Sequence, residues 1–178
     1  MAGIGKQVQK CGLRRDNSVI LLTVGTSPFQ FDRLVMAVDM AIAAGVVEDQ
    51  VFAQLGCCTY RPLHMDYVAM LEKKEFDTHF RNARAIIGHA GMGTISMALD
   101  RFKPLLVMPR LKRHKEHVNN HQLGTARWFE KGGHLLAAYE ADQVTDRVRG
   151  LSSFEPSPRV ASPERVASEV GAFLRQML

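Results

Sequence analysis

The sequence has little cysteine. Among its 178 residues there are three, Cys11, Cys57 and Cys58. Such a sparse and odd number excludes a disulfide framework, and no pair has the CxxC spacing of a structural zinc site. We therefore expect reduced thiols and a cytoplasmic protein, in which the adjacent Cys57 and Cys58 are structural rather than redox-active.

Long hydrophobic runs are absent as well. No apolar stretch approaches the ~20 residues that a membrane-spanning helix requires. The N-terminus is basic, but the apolar segment of a signal peptide does not follow it. The sequence thus predicts neither a membrane span nor secretion.

Aromatic residues make up only 7% of the chain, and no nucleic-acid-binding motif is present. Both observations argue against a surface on which bases stack, so we expect no nucleic acid partner. The formal net charge is +5. A positive balance of this size suits an anionic small ligand or an acidic membrane surface and does not choose between them.

Three familiar ligand-binding motifs are missing too. The chain has no Walker A lysine loop, no complete G-x-G-x-x-G fingerprint and no Asp-x-Asp metal pair. What it has is a regular alternation of short, continuously apolar strands with helical segments. Such strands are buried on both faces, and this predicts an α/β fold with a Rossmann-like parallel sheet and helices on both faces. Ligands of such folds bind beyond the carboxyl ends of the strands.

The alternation occupies residues 18–151, which we predict to form one α/β domain. The predicted strands are 18–24, 51–56, 85–88, 105–108 and 135–139, and the predicted helices are 31–45, 66–74, 76–82, 94–101, 119–131 and 141–151. Residues 1–17 lack periodicity and are expected to be a flexible basic tail. Residues 152–162 are rich in proline and serine and are expected to form a linker. An amphipathic helix over 163–178 would then pack on its own domain or on a partner chain.

The most informative loop follows the strand predicted at 85–88. It reads His89-Ala90-Gly91-Met92-Gly93-Thr94 and leads directly into a helix. Its glycines let backbone N–H groups approach a ligand closely, and a helix N-terminus favours negative charge. The loop therefore predicts a phosphate or diphosphate site, with a tight structural turn around a packed His89 as the alternative. The first strand ends in Thr23-Val24-Gly25-Thr26, whose hydroxyls and amides are expected at the same edge of the sheet.

A basic segment follows the strand predicted at 105–108. Its positive residues are Arg110, Lys112, Arg113 and Lys115, a pattern that by itself is typical of a solvated surface. The next helix begins with donors and acceptors suited to sugar hydroxyls, namely Asn119, Asn120, His121 and Gln122. The spacing of His114, His117 and His121 suggests zinc as an alternative. No cysteine or carboxylate cluster joins these histidines, so we predict no metal site.

Taken in order, these segments resemble the C-terminal, donor-binding half of the family 28 glycosyltransferases. The resemblance is closest to single-domain members, namely the small cytosolic subunit of the dolichol-oligosaccharide N-acetylglucosaminyltransferase and bacterial exopolysaccharide counterparts. It covers about residues 18–150. The matching segments are residues 23–26, Phe31-Asp32-Arg33-Leu34, Gln54-Leu55-Gly56, residues 89–94, residues 103–110, Glu116-His117 and Asn120-His121-Gln122.

The resemblance implies half of a GT-B glycosyltransferase that binds a UDP-sugar and needs no obligatory cofactor. It implies substrate-binding roles for Thr23, Gly25, Thr26, His89, Ala90, Gly91, Met92, Gly93, Thr94, Arg110, Glu116, His117, Asn120, His121 and Gln122. Residues 91–94 would hold the diphosphate, His121 and Gln122 would reach the sugar hydroxyls, and residues 71–76 would meet the uracil. Amides at the helix N-terminus would stabilise the leaving UDP.

The resemblance also implies a partner. In the resembling systems a separate membrane-anchored chain carries the acceptor site and the catalytic base, and it recruits the small subunit to the cytoplasmic face of the membrane, in bacteria the inner membrane. The basic loop and tail would suit an anionic bilayer near a lipid-linked acceptor. An exposed partner-binding face would allow homodimers of the isolated chain.

One residue departs from the family pattern. Many members have a ribose-binding glutamate three residues after the loop threonine, where this chain has Met97. Exopolysaccharide-type members match better around residues 108–110 and 116–117, which favours UDP-glucuronate or UDP-glucose over UDP-N-acetylglucosamine. Arg110 or Arg113 would be the partner of a sugar carboxylate, and Asp32 is expected to be structural rather than a base.

Three functions stay open from the sequence. The first is a hexosyltransferase subunit that is active only with its partner. The second is a non-catalytic nucleotide-sugar-binding or assembly module, which the loss of the ribose glutamate favours. The third, a UDP-sugar epimerase, would require both domains in one longer chain.

Overall fold

A parallel sheet forms the centre of the domain. The computed structural model of the protein describes residues 19–158, and there six strands form one sheet in the order β3-β2-β1-β4-β5-β6. All neighbouring strands are parallel. The strands are β1 (Val19–Thr23), β2 (Gln50–Gln54), β3 (Asp66–Val68), β4 (Ala85–His89), β5 (Leu105–Met108) and β6 (Leu136–Ala137).

Helices cover both faces of this sheet. They are α1 (Asp32–Ala43), α2 (Lys73–Asn82), α3 (Met92–Leu99), α4 (His121–Lys131) and α5 (Gln143–Leu151), with one 3-10 turn at Lys112–His114. Buried residues of α1 and α5 pack on one face, and buried residues of α2, α3 and α4 pack on the other. The predicted α/β class with helices on both faces is confirmed.

The alternation of side chains along β1 shows why its sequence is continuously apolar. Ile20 and Leu22 point into the core beneath α1 and α5, and Leu21 points into the opposite core. Because successive side chains of a strand face opposite sides, a strand with helices on both sides needs apolar residues at every position.

The prediction of a helix over 66–74 is wrong. Asp66–Val68 forms the edge strand β3, which pairs with β2, and the helical turns begin only at α2. Three residues are too few for the hydrophobic period to separate a strand from a helix. The predicted helix over 76–82 lies inside α2, and the remaining elements differ from prediction only at their ends.

The predicted terminal segments are not covered by the structure. The tail at 1–17 and the amphipathic helix at 163–178 lie outside the described residues, so these boundaries stay predictions. Helix α5 ends at Leu151, and residues 154–158 are irregular. None of the helices between residues 19 and 158 has the length and hydropathy of a membrane span.

The strand order fixes where a ligand would bind. The chain proceeds outward from β1 to β3 on one side and from β4 to β6 on the other, so the order reverses between β1 and β4. Such a switch point leaves a crevice at the carboxyl ends of the strands. The loops that follow β1, β4 and β5 converge at this edge.

Candidate functional site

A cleft of about 600 Å³ opens at the carboxyl ends of the central strands. It is lined by Thr23, Gly25, Thr26, Ser27, Gln54, Met70, Leu71, Lys73, Phe76, His89, Gly93, Thr94, Met97, Arg110, His117 and Gln122. The residues come from the ends of β1, β2 and β4, from the loops after β1, β3 and β5, and from the first turns of α2, α3 and α4. Among these lining residues, all within 19–158, there are cationic and histidine side chains but no carboxylate.

The glycine-rich loop presents the start of α3 to this cleft. Gly91 is the N-cap, with φ −85° and ψ 135°, and no side chain caps the helix. Amides of the first helical turn have no acceptor within their own helix, so those of Met92, Gly93 and Thr94 are available for an anion. A Cβ atom added to Gly93 would meet no atom of the described residues within 4 Å. Packing therefore does not explain this glycine, and the space beside it is open to a ligand.

His89 accounts for the two other glycines of the site. A Cβ on Gly25 would lie 2.6 Å from His89 Cε1, and a Cβ on Gly91 would lie even closer to Nε2. Gly25 also has a φ of +76°, which disfavours any side chain. The imidazole is thus held between two loop glycines, so the packed histidine and the ligand loop are parts of one arrangement.

The imidazole of His89 is neutral near physiological pH. Burial, the neighbouring Arg110 charge and His117 together lower its pKa to about 4, although a Thr23 backbone contact acts in the opposite direction. Its Nδ1 is buried and has no hydrogen-bond partner within the described residues. At this position the ring is able to serve as a hydrogen-bonding group but not as a cation.

Arg110 is fully buried, at 0% exposure. Its Nη1 donates to the carbonyls of Phe29, Gln30 and Glu116, and its Nη2 donates to the carbonyl of Val24 at 2.7 Å. The guanidinium carbon lies 4.6 Å from the ring centroid of Phe31. Arg110 therefore does not belong to a solvated positive loop, and its outer nitrogens are occupied by backbone rather than free for a sugar carboxylate.

Glu116 is buried on the far side of the same loop. It accepts from Arg33 Nε at 3.0 Å and from Arg33 Nη2 at 2.9 Å, and the amide of Leu111 also donates to it. Arg33 Nη2 donates in addition to the Pro109 carbonyl. Glu116 is not among the residues that line the cleft, so its visible role is to connect α1 with the loop after β5.

The remaining predicted residues of the β5–α4 segment divide into two groups. His117 and Gln122 line the cleft, and Gln122 Oε1 accepts from the Arg110 amide at 3.1 Å. Asn120 and His121 are exposed beside it; the Asn120 side chain accepts from the Lys112 amide, and the His121 ring lies 4.7 Å from that of His117. Burial, His121 and Arg110 lower the pKa of His117.

No metal centre forms among the residues that the structure describes. No three His, Cys, Asp or Glu side chains between 19 and 158 come together so as to hold an ion. Cys57 is exposed and Cys58 is buried, both as free thiols. Asp32 Oδ1 accepts from the Thr59 amide at 2.9 Å, as suits the structural role expected of this carboxylate.

One part of the cleft lining is mainly apolar, and its residues were only partly predicted from the sequence. Leu71, Lys73 and Phe76 of the predicted uracil segment line it, and Met70 joins them. Gln54, at the end of β2, accepts from the Leu71 amide at 3.2 Å and fixes this wall. Met97 lines the same cleft. Gln54 could have been found by position, because it ends a strand at the ligand edge.

A second cavity, of about 540 Å³, lies between α1 and α5; we call it the α1–α5 groove. It is lined by Gln30, Asp32, Arg33, Met36, Ala37, Met40, His114, Glu116, Ala141, Asp142 and Thr145. Of the predicted binding residues it contains only Glu116. The predicted site residues therefore gather at the cleft and not at this groove.

Comparison with known proteins agrees with the fold. The sequence model of the glycosyltransferase family 28 C-terminal domain matches residues 19–168. No curated protein matches the sequence significantly.

Three solved structures share the architecture. The glycotransferase of kitacinnamycin is 18% identical with a TM-score of 0.58, and the match covers 84% of this chain and 39% of that one. The glycosyltransferase VinC, solved with dTDP, is 20% identical with a TM-score of 0.51 over 75% of this chain and 33% of that one. The NMR structure of ALG13 is 17% identical with a TM-score of 0.55 over 84% of this chain and 92% of that one. The chain thus spans less than half the length of the first two proteins, and at these identities the likeness concerns the fold alone.

Proposed function

Since the chain belongs to the glycosyltransferase family 28 C-terminal domain family, we propose that it is the donor-binding half of a glycosyltransferase and holds the diphosphate of a nucleotide sugar in the cleft. One observation carries the proposal. The cleft combines the uncapped start of α3 with Lys73, Arg110 and two histidines, and none of the described residues that line it is a carboxylate. A site of this composition attracts a polyanion and repels none of its charges.

The diphosphate would bind at the N-terminus of α3. The amides of Met92, Gly93 and Thr94 would donate to its oxygens, and the open space beside Gly93 gives the phosphates room. The neutral His89 would contribute a hydrogen bond without adding charge. As the bond to the sugar breaks, negative charge grows on the leaving nucleoside diphosphate, and these fixed dipoles stabilise it without a metal.

The nucleoside would occupy the apolar end of the cleft. Met70, Leu71 and Phe76 offer an apolar wall for a base. Met97 cannot accept hydrogen bonds from ribose hydroxyls as a glutamate would, so we expect weak discrimination between ribose and deoxyribose. VinC, a structural neighbour, is solved with dTDP. We propose UDP-sugars as donors, with dTDP as the comparison that measures the effect of Met97.

The sugar would lie toward His117 and Gln122, with Asn120 and His121 at the rim. We propose glucuronic acid, glucose or N-acetylglucosamine as the transferred sugar. Arg113 is the candidate partner for a sugar carboxylate, because its side chain is exposed whereas Arg110 is buried and bonded to backbone carbonyls. Arg113 now pairs with Glu140.

The acceptor and the catalytic base would come from outside the described domain. Among the described residues that line the cleft there is no carboxylate to act as a base, and the lowered pKa of His89 makes its imidazole a weak base. We propose that a membrane-anchored chain supplies both and brings this protein to the cytoplasmic face of the inner membrane. There it would transfer sugar to a lipid-linked acceptor in polysaccharide biosynthesis.

Calorimetric titration of the purified protein with UDP, dTDP and a panel of UDP-sugars tests the donor site. We expect one saturable site for UDP and dTDP, with affinities within about tenfold of each other, and a lower affinity for UMP. No heat at millimolar nucleoside diphosphate would contradict the proposal. Radiolabelled sugar transfer by membranes that contain the partner, with and without this chain, tests catalysis.

A non-catalytic binding or assembly module is the second candidate. Met97 at the ribose position and the absence of a carboxylate from the cleft lining favour it. In the transfer assay a Gly93→Asp variant separates the two functions. A catalytic subunit loses transfer with this variant, whereas an assembly module supports transfer as well as the wild type does.

A further inference from the structure

Arg110 is the largest side chain that the fold buries completely. Between residues 19 and 158, no carboxylate bonds to its guanidinium directly. Its four hydrogen bonds go to backbone carbonyls in three separate places: Val24 at the end of β1, Phe29 and Gln30 before α1, and Glu116 after β5. Burying a positive charge whose hydrogen-bond partners are all carbonyls costs free energy. We therefore infer that the fold keeps Arg110 for the geometry that its hydrogen bonds impose on the loops.

We propose that Arg110 is a positioning residue of the donor site, which clamps the loop after β1 to the loop after β5 and thereby sets the width of the cleft. This inference rests on the proposed function. Gly25 and Thr26 lie in the first of these loops and His117 in the second, and all three line the cleft. Movement of either loop would change the space in which a ligand binds.

The chemistry of the clamp requires a guanidinium. Four carbonyl oxygens around one group repel each other. The terminal nitrogens of a planar, positively charged guanidinium offer them four N–H donors, with the two on Nη1 shared among three carbonyls. Phe31 stacks below the same group at 4.6 Å. Lysine has the charge but only three donors on a single nitrogen, so it cannot bridge all four carbonyls.

An ion pair connects the same two segments. Arg33 at the start of α1 binds Glu116 through two nitrogens and also donates to the Pro109 carbonyl. Arg110 and the Arg33–Glu116 pair therefore connect α1 and its preceding loop to the residues after β5 in parallel. The two connections share Glu116, whose carbonyl accepts from Arg110 and whose carboxylate accepts from Arg33, and together they fix the relative position of the two loops.

The test compares three variants for UDP affinity, measured by calorimetry well below each melting temperature. Arg110→Met removes both the charge and the branched guanidinium, and Arg110→Lys keeps the charge. Arg149→Met is the control, because Arg149 is an exposed arginine of α5 that does not line the cleft. We expect UDP affinity to fall at least about tenfold in Arg110→Met, to be partly restored in Arg110→Lys, and to change less than about threefold in Arg149→Met.

A readout other than affinity separates charge from volume. The charges that face His89 are Arg110 and His117. NMR titration of the His89 ring should therefore give a higher pKa in Arg110→Met than in the wild type, and one near the wild type in Arg110→Lys. A side chain that only fills space would leave the pKa of His89 unchanged.

Each outcome bears on a different claim. A folded Arg110→Met variant with wild-type UDP affinity overturns the clamp and leaves the donor site intact. A wild-type protein that binds no UDP overturns the proposed function, and the clamp with it. If Arg110→Met does not fold, Arg110→Lys is the deciding variant. Wild-type UDP affinity in Arg110→Lys would overturn the claim that the clamp requires a guanidinium.

Discussion

Gly93→Asp tests the diphosphate site without relying on a disturbed fold. Within the part of the chain that the structure describes, a Cβ atom at Gly93 meets no atom within 4 Å, so the aspartate has room. Gly93 is the second residue of α3, where a carboxylate interacts favourably with the helix dipole by about 0.3–1 kcal/mol. The free protein should therefore keep its stability or gain slightly.

Binding should respond in the opposite direction. A carboxylate roughly 5 Å from a bound phosphate, at an effective dielectric constant of about 20, repels it by about 3 kcal/mol per unit charge. That energy corresponds to a loss of affinity for UDP of about a hundredfold. The expected signature is a large loss of binding with an unchanged melting temperature.

Two control variants make the comparison decisive. Gly93→Asn has nearly the same size without the charge and should lose much less affinity than Gly93→Asp. Gly124→Asp places a carboxylate in α4, where a Cβ is also free of neighbours, and should bind UDP as the wild type does. If Gly93→Asp and Gly93→Asn bind UDP with equal affinity, the diphosphate does not lie at the start of α3.

Three further predictions concern the packing and the titration of the site. Gly91→Ala should lower both thermal stability and UDP affinity, because the new methyl group meets the His89 ring; the added substitution His89→Ala should restore stability, and a stable single variant would contradict this packing. The pKa of His89 is about 4 in the folded protein and about 6.5 in the unfolded chain, so the unfolded chain binds more protons as the pH falls. The free energy of unfolding, measured by urea titration, should therefore fall by about 2 kcal/mol from pH 7 to pH 5. The variant His89→Gln should largely remove this fall. Asp39→Ala should cost about 2–3 kcal/mol in urea unfolding with wild-type UDP affinity, because buried Asp39 accepts from Tyr60 Oη and from the amides of Leu63 and His64; a change below about 0.5 kcal/mol would contradict this.

The acid dependence of Asp39 has the opposite origin from that of His89. Burial alone would raise the pKa of this carboxyl, but the hydrogen bonds from Leu63, Tyr60 and His64 bring it below its ordinary value. Its contribution is therefore complete above the unfolded pKa of about 3.9 and is lost only as the pH falls further. Loss of stability between pH 7 and pH 5 thus reports on His89, with a contribution from His117, whose pKa is also lowered, and not on Asp39.

The sheet could be predicted from the sequence because strands that are buried on both faces have continuously apolar sequences. β5 is apolar at every position and β1 at every position but its last, Thr23, and glycine-rich or polar loops follow both strands. The edge strand β3 lacks such a pattern. It has three residues, is half-buried and begins with Asp66, so only its pairing with β2 distinguishes it from a helical turn.

The candidate site was likewise predictable only in part. The phosphate loop was predictable because its chemistry is in the backbone, and backbone chemistry follows from glycine and from the order of strand and helix. The environment of Arg110 was not predictable, because four lysines and arginines in six residues are typical of a surface and the carbonyls that hold it lie some 80 residues earlier in the chain. Long-range hydrogen bonds of this kind leave no local pattern.

The most direct test of the donor site is a ¹⁵N amide titration of the isotope-labelled protein with UDP. We predict saturable shifts that are largest at Gly93 and Thr94 and extend to Gly25 and Gln122, with little change along the α1–α5 groove. Absence of shifts at millimolar UDP, or shifts confined to that groove, would contradict the account.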